Sequence, residues 1–156
     1  MFSRTVLRTF LWLALGGWVG SWAFFAFVVS RIAFQVLQGD IAGDLAGVLL
    51  TVLHYAGVGA ALVVAAAGVA LGRRGWLVGL PVVLGLLCLG SELFLSPEVA
   101  AVRPSQLGAE NTAETQARFR QLHAFSLGLF MAIHAASVVL VWGQARAESL
   151  AEARDA

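Results

Sequence analysis

Hydrophobic and polar positions in this chain are segregated into long blocks. Four apolar blocks are each near the roughly 20 residues that a helix needs to cross a hydrocarbon core about 30 Å thick. They lie at residues 9–30, 45–71, 76–95 and 119–142. The pattern predicts an all-α, four-helix membrane bundle in a single domain, with an extramembrane loop at 96–118 and a tail at 143–156.

Composition supports a membrane protein and excludes several other classes. Of the 156 residues, 60% are hydrophobic and 12% are charged, which is more apolar side chain than a soluble domain of this size can bury. The lipid bilayer is therefore the predicted partner. The net charge of +1 and the lack of a basic block argue against nucleic acid, and the single cysteine excludes an intramolecular disulfide.

The charged residues near the span ends predict an orientation. Arg4 and Arg8 precede the first apolar block as they would in a signal peptide, but the block continues through Val29, so we expect an uncleaved span. The predicted cytoplasmic arginines are Arg4, Arg8, Arg73, Arg74, Arg146 and Arg154, and the opposite set is Arg31, Arg103, Arg118 and Arg120. Because positive charge is enriched inside, both termini are predicted to be cytoplasmic.

The connections and small residues predict how the spans pack. The four residues from Gly72 to Gly75 can only turn the chain, so the second and third spans should form an antiparallel hairpin. Asp40 is expected to cap the second span, and Ser96-Pro97 to begin a short helix. Small residues at four-residue spacing suggest close helix contact at Gly16 and Gly20, and at Gly57, Ala61 and Ala65.

Two histidines lie on one face of the fourth span. His123 and His134 are eleven residues apart, which is three helical turns with about 20° left over, so both rings share a face with Ser126 and Ser137. Lipid offers an imidazole no hydrogen-bond partner. We therefore expect this face to look into protein, with His134 as a buried polar residue.

A cluster of polar residues is predicted near the non-cytoplasmic ends of the spans. Its members are Arg31, Asp44, Glu92, Arg118, Arg120, His123 and Ser126. An ionisable group at this depth is costly unless paired, and Glu92 is expected to pair with Arg31, Arg118 or His123. The first interpretation is a structural network that ties helix ends together.

The alternative interpretation is a metal or haem site. His54, Cys88, Glu92 and His123 supply the ligand types that zinc and copper prefer, although no two of them have a diagnostic spacing. His54 with either His123 or His134 could instead ligate haem. Catalysis is less favoured, because no nucleophile elbow surrounds Ser126 near His123.

Several motifs carry a family resemblance. They are Phe119, His123 and Ser126 in F-x-x-x-H-x-x-S, Trp18-Val19-Gly20, and Leu95-Ser96-Pro97. In these the chain resembles the transmembrane protein 205-like family, also catalogued as domain of unknown function 4149, and in particular a bacterial member. The resemblance implies a compact four-span protein without an assigned activity. Phe130 stands where the family often has asparagine.

Three classes of function remain open. The first is a non-enzymatic protein that packs with itself or with a membrane protein partner, in support of transport or membrane integrity. The second is a transporter or channel for a small solute or metal ion, which for so thin a bundle would need a homo-oligomer. The third is a metal- or haem-binding redox protein. We favour the first two, in a bacterial inner membrane.

Overall fold

The spans form as helices over nearly their whole length. The computed structural model describes residues 3–103 and 112–155. Within these residues all regular structure is helical, and four segments are long and apolar enough to cross a membrane. The predicted all-α membrane bundle is therefore confirmed.

Two of the four spans contain a π-helical turn. The first span consists of an α-helix at Arg4–Phe24, a π-helical turn at Phe25–Val29 and an α-helix at Ser30–Val36. The second is one α-helix, Gly39–Ala70, and the fourth is another, Ala113–Asp155. The third consists of Trp76–Gly90, a π-helical turn at Ser91–Leu95 and Ser96–Val102. The helices thus extend beyond the apolar blocks into both ends of the predicted loop.

Local hydrogen bonds explain where these helices begin. Ser3 Oγ accepts a bond from the Val6 amide at 3.3 Å and caps the first span. The expected cap at Asp40 is wrong: the second span begins at Gly39, and Asp40 lies inside its first turn with Oδ1 accepting from the Ile41 amide. A carboxylate there still faces the positive end of the helix dipole.

The second and third spans form the most extensive helix pair. Their connection includes Gly72 and Gly75, whose φ angles of 76° and 62° favour glycine. Within the pair the backbones approach closely, because a Cβ on Gly85 would lie 2.8 Å from the Cβ of Ala61. By contrast, Gly16 and Gly20 are exposed, with no atom near their missing side chains.

Salt bridges join the beginning of the first span to the end of the fourth. Arg8 lies 3.6 Å from Glu148 and 3.5 Å from Glu152, measured between nitrogen and oxygen, and Trp12 Nε1 donates to Glu148 at 3.0 Å. We call this the terminal end of the bundle and the opposite end the distal end.

The apolar core fills the terminal and middle levels of the bundle. One group of buried side chains is formed by Leu11, Leu15, Val64, Ala67 and Leu140, and a second by Trp18, Trp22, Leu53, Ala61, Leu84, Cys88, Phe130 and Ile133. Toward the distal end, the buried apolar side chains of the described residues are Ala33, Ala42 and Val99, all of them small. Because small side chains fill less volume, the distal half packs less completely.

The fourth span replaces a hydrogen bond that a proline removes from the third span. Pro81 lies inside the Trp76–Gly90 helix and has no N–H to donate to the Leu77 carbonyl four residues earlier. Gln144 is fully buried, and its Nε2 donates to that carbonyl at 3.0 Å. The fourth span thus supplies the hydrogen bond that the third span lacks.

Candidate binding cavity

All four spans line a cavity in the distal half of the bundle, with a volume of about 1250 Å³. Much of the second span's contribution comes from small residues, namely Gly39, Gly43, Ala46 and Gly47. The cavity therefore occupies the level where the core side chains are small. Its size exceeds the roughly 300–1,000 Å³ of typical small-molecule sites.

Among the described polar side chains of the cavity wall, Glu92 has the most hydrogen-bond partners. Its side chain is only 11% exposed. Thr51 Oγ1 donates to Oε1 at 2.8 Å, Ser96 Oγ donates to Oε2 at 3.2 Å, and His54 Nδ1 lies 2.9 Å from Oε2. We call these four residues the Glu92 site. It joins the second and third spans through side chains that are polar on an otherwise apolar surface.

The two π-helical turns both contribute to the cavity. Glu92 lies in the turn at Ser91–Leu95, and Phe25, Ala26 and Phe27 of the other turn also line the cavity. A π-helical turn inserts one residue into a helix and changes the face on which later side chains lie, and such turns are frequent at functional sites. Glu92 and Ser96, four residues apart, lie on the same side of the third span, where Ser96 Oγ donates to Glu92.

An ion pair lies in the cavity lining near the beginning of the second span. Arg103 Nη1 lies 3.3 Å from Asp44 Oδ1, and both residues line the cavity. The guanidinium packs against the second span at Gly47, where a Cβ would lie 2.6 Å from Nη1. A side chain at this position would require the Arg103 guanidinium to move.

Stacked aromatic rings form the inner boundary of the cavity. Phe130 lines it and stacks on Trp22 with ring centroids 4.4 Å apart and planes 3° from parallel. Trp22 also meets His54 edge to face at 5.9 Å. Phe130 therefore lies between the cavity and the buried core, and its contact with Trp22 links that boundary to the Glu92 site.

The structure divides the predicted polar cluster into two sets. Asp44, Glu92, His123 and Ser126 line the cavity, whereas Arg31, Arg118 and Arg120 do not. Arg118 Nη2 donates to Glu98 at 2.9 Å, with both side chains more than half exposed. Arg31 and Arg120 are exposed, and within the described residues their side chains make no hydrogen bond or ion pair. The partner of Glu92 is therefore His54 rather than Arg31, Arg118 or His123.

The four candidate metal ligands are not brought together. His54 and Glu92 are in contact, but Cys88 is fully buried in the core, where its sulfur would lie 3.1 Å from a Cβ on Gly57. His123 stacks on Phe119, with centroids 5.3 Å apart. Among the residues that the structure describes, no group of three or more histidine, cysteine, aspartate and glutamate side chains could hold a metal ion.

His134 lies outside the cavity lining and is only partly buried. Its Nδ1 is buried without a hydrogen-bond partner in the described part of the chain, and its carbonyl accepts from Ser137 Oγ at 2.7 Å. His54 is committed to Glu92 through Nδ1. Within the described residues, neither His134 nor His123 therefore has a hydrogen bond or ring contact with His54. Haem ligation would require one of them to pair with His54.

A second polar cluster at the terminal end was not predicted from the sequence. Glu148 accepts from Trp12 and lies 4.0 Å from Arg73 Nη2, while Arg73 Nη1 donates to the Ala147 carbonyl at 2.8 Å. Gln144, one turn before Glu148, makes the bond to Leu77. The sequence feature that could have indicated this cluster is the pair Gln144 and Glu148, four residues apart near the end of an apolar helix.

Comparison with known proteins gives one match. A family model described as a domain of unknown function (DUF4149) matches residues 13–108, a segment that includes most of the first three spans. The match ends before Phe119, His123 and Ser126, which carry the resemblance in the fourth span. No curated protein and no solved structure matches the chain.

Proposed function

Because this chain belongs to the DUF4149 family, whose function is unknown, we propose a function from its structure: it is a non-enzymatic membrane protein that holds a small amphipathic molecule in the distal cavity. The observation that carries the proposal is a cavity of about 1250 Å³ with one deep polar group, Glu92, in a largely apolar wall. Ligand sites typically combine an apolar lining with a few placed polar groups.

The distribution of polar groups supports an amphipathic ligand rather than a solute such as an inorganic ion. The Glu92 site offers hydrogen bonds on one wall, whereas Phe25, Phe130 and Leu50 give the cavity an apolar lining. A fully hydrated solute would leave the apolar lining in contact with water, and a purely apolar one would make no use of the polar groups at the Glu92 site. A molecule with both kinds of surface satisfies both walls.

The cavity supports binding better than catalysis. Ser126 and His123 both line it and are three residues apart, yet His123 stacks on Phe119, and no hydrogen bond joins the two side chains in the described part of the chain. A nucleophilic serine needs a base within about 3.2 Å. We therefore propose a role in holding or handing over a ligand, in support of transport.

Membrane placement forms a further part of the proposal. We propose that the chain is a bacterial, transmembrane protein 205-like protein and that its terminal end faces the cytoplasm of the inner membrane. The arginine distribution supports this orientation, and Trp12, Trp76 and Trp142 near that end are typical of the headgroup region. The exposed Gly16 and Gly20 favour a homo-oligomer or a membrane protein partner at the first span.

Binding of a neutral amphipathic probe tests the proposed function. Triphenylphosphine oxide, which has one polar oxygen and three phenyl rings, should bind saturably to the protein purified in dodecylmaltoside. Ala46→Phe adds a ring to the cavity lining and should abolish this binding, whereas Ala66→Phe, on an exposed position of the same span, should not. Equal binding by both variants, or none by the parent protein, would contradict the proposal.

A further inference from the structure

The charges of the cavity wall indicate what kind of amphipathic molecule it holds. Resting on the proposed function, we propose that the ligand is an amphiphile with a positively charged group, such as an organic ammonium, and that Glu92 is its counter-charge. Among the described residues that line the cavity, the acidic side chains are Asp40, Asp44 and Glu92, and the basic one other than histidine is Arg103. The wall therefore carries an excess of carboxylates.

Only one of these carboxylates is offset by a fixed cation. Asp44 pairs with Arg103 at 3.3 Å. Asp40 accepts from the Ile41 amide, which is a neutral donor, and lies half-buried in the lining. Two carboxylates consequently face the cavity without an arginine beside them.

The hydrogen bonds to Glu92 match those of an ionised carboxylate. Thr51 and Ser96 both donate hydroxyl protons to it, and an ionised carboxyl group is an acceptor only. His54 Nδ1 lies 2.9 Å from Oε2 and can donate the third bond, so all three contacts suit an ionised Glu92. A carboxylate charge next to an apolar wall attracts a cation more strongly than it would in bulk water, because the effective dielectric constant of protein surroundings is lower.

Aromatic rings provide the second element of a cation site. Phe25, Phe34, Phe119 and Phe130 line the cavity, and the negative face of an aromatic ring attracts organic cations. Quaternary ammonium groups in particular are recognised by aromatic walls. The same rings would bury the apolar body of the molecule, so charge and hydrophobicity select one ligand class.

Two sources could supply such a group. One is a free organic cation with an apolar body, and the other is a lipid whose headgroup ends in an ammonium. Both present the same chemistry to Glu92 and the phenylalanine rings.

A set of probes of similar size but different charge tests the inference. Methyltriphenylphosphonium, the neutral triphenylphosphine oxide and the anion tetraphenylborate are titrated against the protein in dodecylmaltoside, a detergent without charge. We expect the cation to bind at least about tenfold more tightly than the neutral probe, and the anion more weakly than either, because about 1.4 kcal/mol of charge interaction gives a factor of ten.

Substituting single carboxylates shows which of them supplies the negative charge that attracts the cation. Glu92→Gln keeps an oxygen for Thr51 and should weaken cation binding about tenfold while leaving the neutral probe within about twofold. Glu98→Gln, on the same span but outside the lining, is the matched control and should change neither. Asp40→Asn provides a second test that leaves the Glu92 hydrogen bonds intact, and it should reduce cation binding about threefold.

Lipid competition separates the two sources. Displacement of the phosphonium by phosphatidylethanolamine but not by phosphatidylglycerol would identify a headgroup ammonium, and displacement by neither would identify a free cation. Both results support a cation site. Equal displacement by both lipids, equal affinity for cation and neutral probe, or full cation preference in both Glu92→Gln and Asp40→Asn would overturn the inference. In these cases the proposed function survives, whereas it fails if the neutral triphenylphosphine oxide does not bind the parent protein.

Discussion

Replacing Gln144 with leucine should destabilise the bundle through a carbonyl on a different span. Pro81 leaves the Leu77 carbonyl without its intrahelical donor, and Gln144 Nε2 donates to it at 3.0 Å from a fully buried position. Leucine has a similar volume and cannot donate. The Leu77 carbonyl then has no hydrogen-bond donor, and it lies in a region where water does not supply one.

The magnitude follows from two opposing contributions. A buried polar group left without a partner costs about 1–3 kcal/mol, whereas side-chain hydrogen bonds within membrane bundles average about 0.6 kcal/mol. Gln144 Oε1 is itself buried without a partner in the described residues, so its removal offsets part of the loss. We expect Gln144→Leu to lower the free energy of unfolding by about 1 kcal/mol.

A double-mutant cycle in mixed micelles measures the effect. Unfolding is driven by titrating sodium dodecyl sulfate into dodecylmaltoside and is followed by far-ultraviolet circular dichroism. In a Pro81→Ala background the residue 81 amide can donate to Leu77, so Gln144→Leu should then cost less than about 0.5 kcal/mol. Gln121→Leu, on an exposed position of the same span, is the control. Equal costs of Gln144→Leu in both backgrounds would refute the proposed compensation.

Other substitutions test the packing of the spans. Gly57→Leu should destabilise by about 1–3 kcal/mol in the same assay, because a Cβ there would already lie 3.1 Å from Cys88 Sγ and 3.2 Å from Trp18 Nε1, whereas Gly59→Leu faces open space and should be tolerated. Trp12→Phe removes the bond to Glu148 and should lower the unfolding free energy by about 1 kcal/mol; an unchanged value would mean that this terminal contact does not stabilise the bundle.

The number and position of the spans could be predicted because they depend on local composition. Apolar length alone indicates a membrane-crossing helix, whatever its neighbours are. The antiparallel pairing of the second and third spans could also be predicted, since a segment as short as Gly72 to Gly75 permits no other arrangement. His54 and Glu92 were also predicted together as candidate ligands, and their side chains are in contact.

The partners of the polar residues could not be predicted because they depend on helix rotation. Regular helical periodicity assumes 100° per residue, but the π-helical turn that contains Glu92 breaks that period. His54 lies 38 residues from Glu92 in sequence, and nothing local distinguishes it from His123 as a partner. The role of Gln144 could not be predicted for the same reason, since it donates a hydrogen bond to a carbonyl on another span.

The proposed function requires that an amphipathic molecule occupies the distal cavity. Photolabelling with benzophenone, a neutral amphipathic probe, followed by peptide mapping tests this most directly. Adducts on the cavity-lining Leu50 and Leu127 should be suppressed by excess triphenylphosphine oxide, while adducts on the exposed Val69 and Val139, outside the lining, should persist. Equal suppression at all four positions, or adducts confined to Val69 and Val139, would contradict the claim.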